Sequence, residues 1–195
     1  MHKTLIGLLL LVLFVACDTI TNNEDKEPAE GMDTLRSFVI IKKDSAHVIN
    51  YRFKNKTDRN GGFSFIYANE ADSFSLFLDT SKGTSSGRFG GGGMLNLDLE
   101  KAKYYDINGR SFKVFKLIED KNVTDGSFSI FLTPDFGLLV SKPSTWRMAK
   151  VICPDKNNSN YVYQLALLYR IQTDEDFFEN LIPNIDKKMK IPKVE

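Results

Sequence analysis

Apolar and polar residues alternate along most of the chain between Arg36 and Cys153. The clearest segment is residues 95–100, where three leucines alternate with polar neighbours. A period of two places successive side chains on opposite sides of an extended strand, so this pattern predicts strands with one buried face. Similar short segments recur down to residue 152.

Turn-forming residues separate these segments, as at Asn60-Gly61-Gly62, Asn108-Gly109 and Pro134-Asp135. Asn108-Gly109 is the strongest of them, because a two-residue hairpin turn needs the positive φ angles that Asn and Gly tolerate. Tight turns join antiparallel neighbours, whereas parallel strands need long crossovers. We therefore predict an α+β fold: an antiparallel meander of seven to nine strands, either open or curled into a half-barrel, followed by one or two helices.

The predicted helices begin where the pattern changes, after Pro154. Apolar residues from about 157 to 170 recur at helical spacing, and Asn160 is a candidate N-cap. A strand over residues 161–171 is the alternative that the pattern leaves open. Residues 173–176 read Thr-Asp-Glu-Asp, which is typical of the start of a second helix, because acids are stabilised there by the helix dipole.

The N-terminus has another composition. Lys3 precedes an apolar run over residues 5–16, which has the length of a secretion signal and is shorter than the ~20 residues of a membrane-spanning helix. Residues 18–33 hold six acidic residues and one basic residue, as expected of a disordered tether. We therefore divide the chain into a signal peptide at 1–16, a tether that starts at Cys17 and ends at 33, and a single β-rich domain at 34–195.

The residues before Cys17 are Leu13-Phe14-Val15-Ala16, and they resemble the lipobox of bacterial lipoproteins, in which a small residue precedes an invariant cysteine. Phe14 departs from the family pattern, which usually has Leu at that position. The resemblance implies cleavage between Ala16 and Cys17, diacylglycerol on the Cys17 sulfur and fatty acylation, typically with palmitate, of the new N-terminus. Buried acyl chains give a stable anchor, since each buried CH₂ contributes ~0.8 kcal/mol. An ordinary cleaved signal and an uncleaved N-terminal helix are the alternatives.

A lipobox, a short acidic tether and a Phe- and Lys-rich β domain together make the chain similar to small envelope lipoproteins of Bacteroidetes. That similarity implies a lipid-anchored position, with the outer membrane as the expected location. Asp18 follows the cysteine, and in enteric bacteria that residue favours the inner membrane. The net charge of +5 over residues 34–195 is too small for a nucleic-acid-binding domain, so we predict no nucleic-acid partner.

Motifs for catalysis and metal binding fail on their spacing. Residues 83–87 match the G-x-S-x-G of a hydrolase nucleophile elbow, but the glycines that follow them exclude the required helix, so we predict a loop between Phe77 and Met94. His47 is the one histidine after the signal peptide and has no evident catalytic partner in the sequence. Residues 155–166 begin like a calcium-binding loop but lack its required Gly and Glu. We predict no catalytic residue, no metal and no cofactor.

Candidates for ligand contact remain. Tyr104 and Tyr105 would offer rings on an outer face of the sheet, and Arg88 and Phe89 flank the glycine run. Exposed rings suit sugar or peptide ligands. Cys153 follows an apolar run, so we expect it to be buried, and it has no partner in the chain if Cys17 carries lipid.

Two functions are compatible with these observations. The first is a lipid-anchored, non-enzymatic binding or scaffold module whose partner is an envelope protein, a glycan or a lipid. The second is an envelope hydrolase whose two catalytic carboxylates are brought together only by the fold, with a raised pKa on at least one of them. The absence of a recognisable catalytic constellation in the sequence favours the first.

Overall fold

The computed structural model describes residues 34–42, 45–57, 61–89, 94–119, 128–143 and 149–178. The predicted signal peptide, Cys17 and the tether lie outside these ranges. The described residues form ten strands and two helices. The strands are β1 (Thr34–Lys42), β2 (Ser45–Thr57), β3 (Gly62–Ala68), β4 (Ser73–Asp79), β5 (Thr84–Phe89), β6 (Met94–Ile107), β7 (Arg110–Glu119), β8 (Phe128–Thr133), β9 (Gly137–Pro143) and β10 (Ala149–Cys153). The helices are α1 (Tyr161–Thr173) and α2 (Glu175–Phe178).

Each strand pairs antiparallel with the next one in the chain, and β1 also pairs with β10. The sheet is therefore a closed up-and-down barrel. The predicted antiparallel meander with C-terminal helices is confirmed. The number of strands was underestimated, and the sheet closes completely instead of stopping at a half-barrel. Closure leaves the sheet without a free edge strand.

β5 is the strand that the sequence pattern missed, because the region from Phe77 to Met94 was predicted to be a loop. Its sequence, Thr-Ser-Ser-Gly-Arg-Phe, has no apolar alternation. The segment is nevertheless extended, since it is paired with β4 on one side and with β6 on the other. Hydrogen bonds on both edges satisfy its backbone groups, and this tertiary pairing overrides a weak intrinsic preference.

β6 and β7 form the longest hairpin. The predicted turn at Asn108-Gly109 is confirmed, with φ angles of 50° and 78°. The ladder contains a bulge at Glu100, between Leu99 and Lys101. The Glu100 carboxylate lies 2.9 Å from the amine of Lys116, whose side chain is almost completely buried, so the bulge residue supplies the countercharge for a buried lysine.

Contacts between strands that are not neighbours identify the inner face of the barrel. The backbone N–H of Leu138 on β9 donates a hydrogen bond of 2.7 Å to the hydroxyl of Tyr67 on β3. The side-chain amide of Asn55 on β2 donates to the carbonyl of Pro134, after β8, at 3.2 Å. Opposite walls therefore meet through side chains. The buried aromatic residues of this inner face include Phe38, Tyr51, Phe53, Phe65, Tyr67 and Phe74.

Gly137 begins β9 directly beside the hydrogen bond between Leu138 and Tyr67. Its φ is +75°, which side chains with a Cβ rarely adopt. A Cβ at this position would overlap the hydroxyl oxygen of Tyr67 and would lie 3.1 Å from the ring of Phe53. The glycine is needed both for its conformation and for the space that Tyr67 occupies.

The two helices pack on the outside of the barrel. α1 buries Leu167, Leu168 and Ile171 completely. Phe177 of α2 contacts the rings of Tyr105 and Phe131 at centroid distances of 6.0 and 5.5 Å. Residues 161–171 are thus helical and not extended. Within the described ranges, neither helix has the length and apolar character needed to cross a bilayer.

Asp174 lies between the two helices and connects them to β6. Its carboxylate accepts a hydrogen bond of 2.9 Å from the Tyr105 hydroxyl and pairs with the amine of Lys103. Burial acts to raise the pKa of Asp174, but the hydrogen bonds from Lys103 and Tyr105 outweigh it, so the pKa lies below its ordinary value. Asp174 is therefore an anion at neutral pH.

The close contact between Gly137 and the Tyr67 hydroxyl predicts that Gly137→Ala is more destabilising than an ordinary substitution at positive φ. Left-handed backbone costs a side-chain-bearing residue about 1–2 kcal/mol, and forced overlap in a packed interior adds about 1–3 kcal/mol. Urea denaturation of the two purified variants and the parent measures both terms. Gly83→Ala is the matched control, because Gly83 has φ +64° and open space around its Cα. Equal losses in the two variants would contradict the argument.

Asp174→Asn should lower the free energy of unfolding by about 1 kcal/mol at pH 7, a value reduced because Lys103 is 43% exposed. The folded pKa of Asp174 lies below the unfolded value of about 3.9, so its contribution is present above that value and is lost as the pH falls through the folded pKa. Urea denaturation at several pH values should therefore show the difference shrinking below about pH 4. Asp106→Asn, at an exposed position of β6, is the control. A difference that is constant with pH would refute the electrostatic explanation.

Candidate binding site at the upper end of the barrel

We call the end of the barrel at which β1 finishes and β2 begins its upper end. The strand directions place residues 69–72, between β3 and β4, at this end. The other connections here, residues 43–44, 90–93, 120–127 and 144–148, lie outside the described residues.

Lys150 is an inward-facing cation near the upper end. It lies opposite Ile40 of β1 and Ser141 of β9, and it is in phase with Ile152, which is 1% exposed. Its amine lies 4.4 Å from the ring centre of Phe74 and 5.1 Å from that of Tyr51. The lysine is only partly buried, so its amine lies between the aromatic interior and solvent.

A short chain of polar groups connects Lys150 to the rim. The hydroxyl of Tyr51 donates to the Asp72 carboxylate at 3.2 Å, and the amine of Lys150 donates to the Tyr51 oxygen at 3.5 Å, which is long for a hydrogen bond. Asp72 is exposed and is held in place by the turn, where its backbone N–H donates to the side chain of Asn69 at 2.7 Å. The site thus has a rigid acidic rim on one side.

Burial and the nearby Asp72 carboxylate shift the pKa values of Lys150 and Tyr51. Burial lowers the pKa of Lys150, and Asp72 partly counteracts this. Burial raises the pKa of Tyr51 to about 12, and Asp72 adds to that rise, so the Tyr51 hydroxyl is a neutral donor at physiological pH. No described carboxylate lies within 4.0 Å of the Lys150 amine. Its neighbours are aromatic faces, which attract a cation but do not neutralise it.

A ladder of three rings runs inward from Lys150. Phe74 stacks on Tyr67 at 4.3 Å, and Tyr67 contacts Phe53 at 4.9 Å. The guanidinium of Arg36 lies 4.9 Å from the far ring, Phe53, and burial lowers the pKa of this arginine. The ladder therefore separates two interior cations. Phe74 and Tyr51 form the floor of the upper site.

A cation, a neutral hydroxyl and an aromatic floor are the groups that fix a ligand's orientation in small-molecule sites. The hydrolase hypothesis requires a carboxyl group with a raised pKa. Among the described carboxyl groups, Asp174 and Asp79 have a lowered pKa, Asp79 mainly because of hydrogen bonds from the Ser81 hydroxyl and the Lys82 N–H.

The structure places the two tyrosines predicted to contact a ligand on opposite faces of β6. Tyr104 is 63% exposed, and its ring lies 5.4 Å from the amine of Lys113 on β7. Tyr105 is buried under the helices and bonded to Asp174. Tyr104 is thus available to a ligand, whereas the Tyr105 ring is occupied by packing.

Arg88 and Phe89 lie at the end of β5 and not in a loop. Arg88 is exposed and pairs with Met94, the first residue of β6. Tyr104 lies ten residues further along β6, or about 30 Å at the usual rise of a strand. The predicted contact residues therefore do not form one site.

Two other sequence candidates have structural explanations. Ser85 of the G-x-S-x-G segment is buried in β5 and donates to the carbonyl of Leu97. His47 is exposed on β2, opposite Ile40. The described part of the chain contains no cluster of three or more His, Cys, Asp or Glu side chains that could hold a metal ion.

Cys153 is buried, as predicted, with 6% of its surface exposed. The structure records Cys153 as disulfide-bonded, whereas we expect it to have no partner in the chain if Cys17 carries lipid. The chain contains one other cysteine, Cys17, which lies outside the described residues. The expectation depended on lipidation of Cys17, so this finding bears directly on the anchor.

Sequence reasoning missed Lys150, Tyr51 and Asp72. A lysine in phase with Ile152 in an otherwise apolar strand was the available signal for Lys150. Tyr51 and Asp72 carry no such signal, since their meeting depends on the pairing of β2, β3 and β4.

Comparison with known proteins adds no relatives: no family model matches the chain, and no curated protein or solved structure is significantly similar to it.

Proposed function

We propose that this protein is a lipid-anchored component of the cell envelope whose barrel is a non-enzymatic binding module. The observation that carries the binding role is the Lys150 amine, which faces the interior, is partly accessible and has no described carboxylate within 4.0 Å. A partly buried cation without a nearby carboxylate lowers the stability of the fold, and ligand binding is the function that explains why it is retained.

The anchor is supported by the sequence before Cys17 and by the acidic segment that follows it. A polar tether of about 16 residues in the coil regime spans roughly 20–25 Å, which is enough to hold a domain clear of the lipid headgroups. The outer membrane is the proposed location, on the similarity to envelope lipoproteins described above.

The disulfide of Cys153 makes the anchor directly testable. A sulfur that carries diacylglycerol cannot also form a disulfide bond. Lipidation of Cys17 and a disulfide between the two cysteines of the chain are therefore exclusive states of the same protein. The proposed anchor requires that the mature envelope form contains Cys153 as a thiol.

For the anchor, we expect the wild-type protein expressed in its native host to incorporate an alkyne-labelled palmitate and to fractionate with membranes, while Cys17→Ala loses both properties. Denatured membrane-bound protein should react with one maleimide per chain without reductant. Cys153→Ala should remain lipidated and lose that reaction. A wild-type protein that carries no acyl label, and has a thiol only after reduction, would overturn the anchor and would indicate an ordinary cleaved signal.

For the binding module, protein purified from the envelope should carry a bound species of defined mass in native mass spectrometry. Lys150→Met should lose this species, because the substitution keeps the length of the side chain and removes the charge. Lys42→Met, at an exposed position at the upper end of β1, should retain it. A ligand-free wild-type protein, or a bound species that survives in Lys150→Met, would contradict a binding site at the upper end.

A further inference from the structure

We propose that the site at the upper end of the barrel binds an oxyanion, the carboxylate or phosphate group of its ligand, between the Lys150 amine and the hydroxyls of Tyr51 and Ser141. This inference rests on the proposed binding function and adds the chemical class of the ligand. It depends on charge balance, on the placement of donors and on Asp72, the described acid that is bonded to Tyr51.

Charge balance is the first argument. An ammonium group removed from water is stable only when a countercharge or several acceptors compensate it. The Lys150 amine has one oxygen within hydrogen-bond distance among the described residues, that of Tyr51 at 3.5 Å, together with two aromatic faces. The buried Lys116 shows the contrasting arrangement, since Glu100 supplies its countercharge at 2.9 Å. Lys150 has no such countercharge among the described residues, and the proposal assigns that role to a ligand.

The donors around Lys150 converge on the same space. Ser141 lies directly opposite Lys150 on the neighbouring strand, so both side chains share the inner face, with Cα atoms about 5 Å apart. The Tyr51 hydroxyl approaches from β2 on the other side of β1. His47 lies level with Lys150 two strands away, at about 10 Å. An ammonium group with hydroxyl side chains at neighbouring inward-facing positions suits the acceptor oxygens of a carboxylate or phosphate.

Asp72 interacts with a donor of the site when no ligand is bound. Its carboxylate accepts from Tyr51 and stands at the rim, so it acts as a weak internal substitute for the anion. An entering oxyanion competes with Asp72 for Tyr51 and is repelled by its charge. The proposal therefore predicts an unusual result: removal of this acid strengthens binding.

The test uses the mature lipidated protein in phosphatidylcholine nanodiscs. Trace acetylation with acetic anhydride, followed by peptide mass spectrometry, measures how fast each lysine reacts. The probes are inorganic phosphate and acetate in solution, and nanodiscs that contain phosphatidic acid. An anion that occupies two-thirds of the sites should slow acetylation of Lys150 about threefold, whereas exposed Lys42 in the same sample should change little. Protection by the soluble anions indicates a free ligand, and protection only by phosphatidic acid indicates a lipid headgroup.

Four variants measure how individual side chains contribute to anion binding. Tyr51→Phe and Ser141→Ala should each raise the anion concentration that protects Lys150 by about 10- to 100-fold, the loss expected for one hydrogen bond to a charged group. Asp72→Asn should lower that concentration by a few-fold, and Asp106→Asn, on the distant hairpin, should leave it unchanged. Circular dichroism of each variant confirms that it is folded.

Three outcomes would overturn the inference: Lys150 acetylation that no anion slows, protection that is equal at Lys42, or an Asp72→Asn variant that binds more weakly. A neutral bound species in native mass spectrometry, lost in Lys150→Met, with no protection by anions, would refute the oxyanion and leave the binding module intact. No bound species and no protection would remove both.

Discussion

Closure of the sheet through β1 is the constraint on which the rest of the structure depends. β1 is hydrogen-bonded to β2 along one edge and to β10 along the other, so the first and last strands of the meander meet. Once the ring is closed, one face of every strand points into a shared interior, and its side chains must fill that interior together. The hydrogen bond from Leu138 to Tyr67 across the interior, and the glycine that leaves room for it, are consequences of this requirement.

The inner and outer faces of the barrel are packed in different ways. The inner face is packed largely with aromatic rings, which fill a wide interior with few side chains and pack edge to face or offset. The outer face of β6 to β9 is also apolar, and it is covered by the two C-terminal helices. Asp174 holds this cover at the junction of the helices by binding Tyr105 and Lys103. The helices therefore belong to the core as much as the strands do.

The proposed site follows from the same closure. Lys150, Tyr51 and Phe74 lie on three strands, β10, β2 and β4, that only a closed ring brings to one end of one interior. The ladder of rings beneath them prevents Lys150 and Arg36 from sharing a ligand and limits each cation to its own end. The site that we propose would hold a charged group at the mouth of the barrel, above the packed interior.

The sequence by itself determined much of the local structure. Alternation of leucines marked the β6 region, Asn108-Gly109 specified a hairpin turn, and apolar spacing after Pro154 indicated α1, because these features depend on neighbours in the chain. Only the tertiary structure decided what depends on distant residues. β5 is a strand because β4 and β6 pair with it, Glu100 forms a bulge because β7 pairs with the residues on both sides of it, and Lys150 becomes a candidate ligand contact because ring closure places it over Phe74. The physical reason is the same in each case: backbone pairing and burial between segments far apart in sequence leave no local pattern.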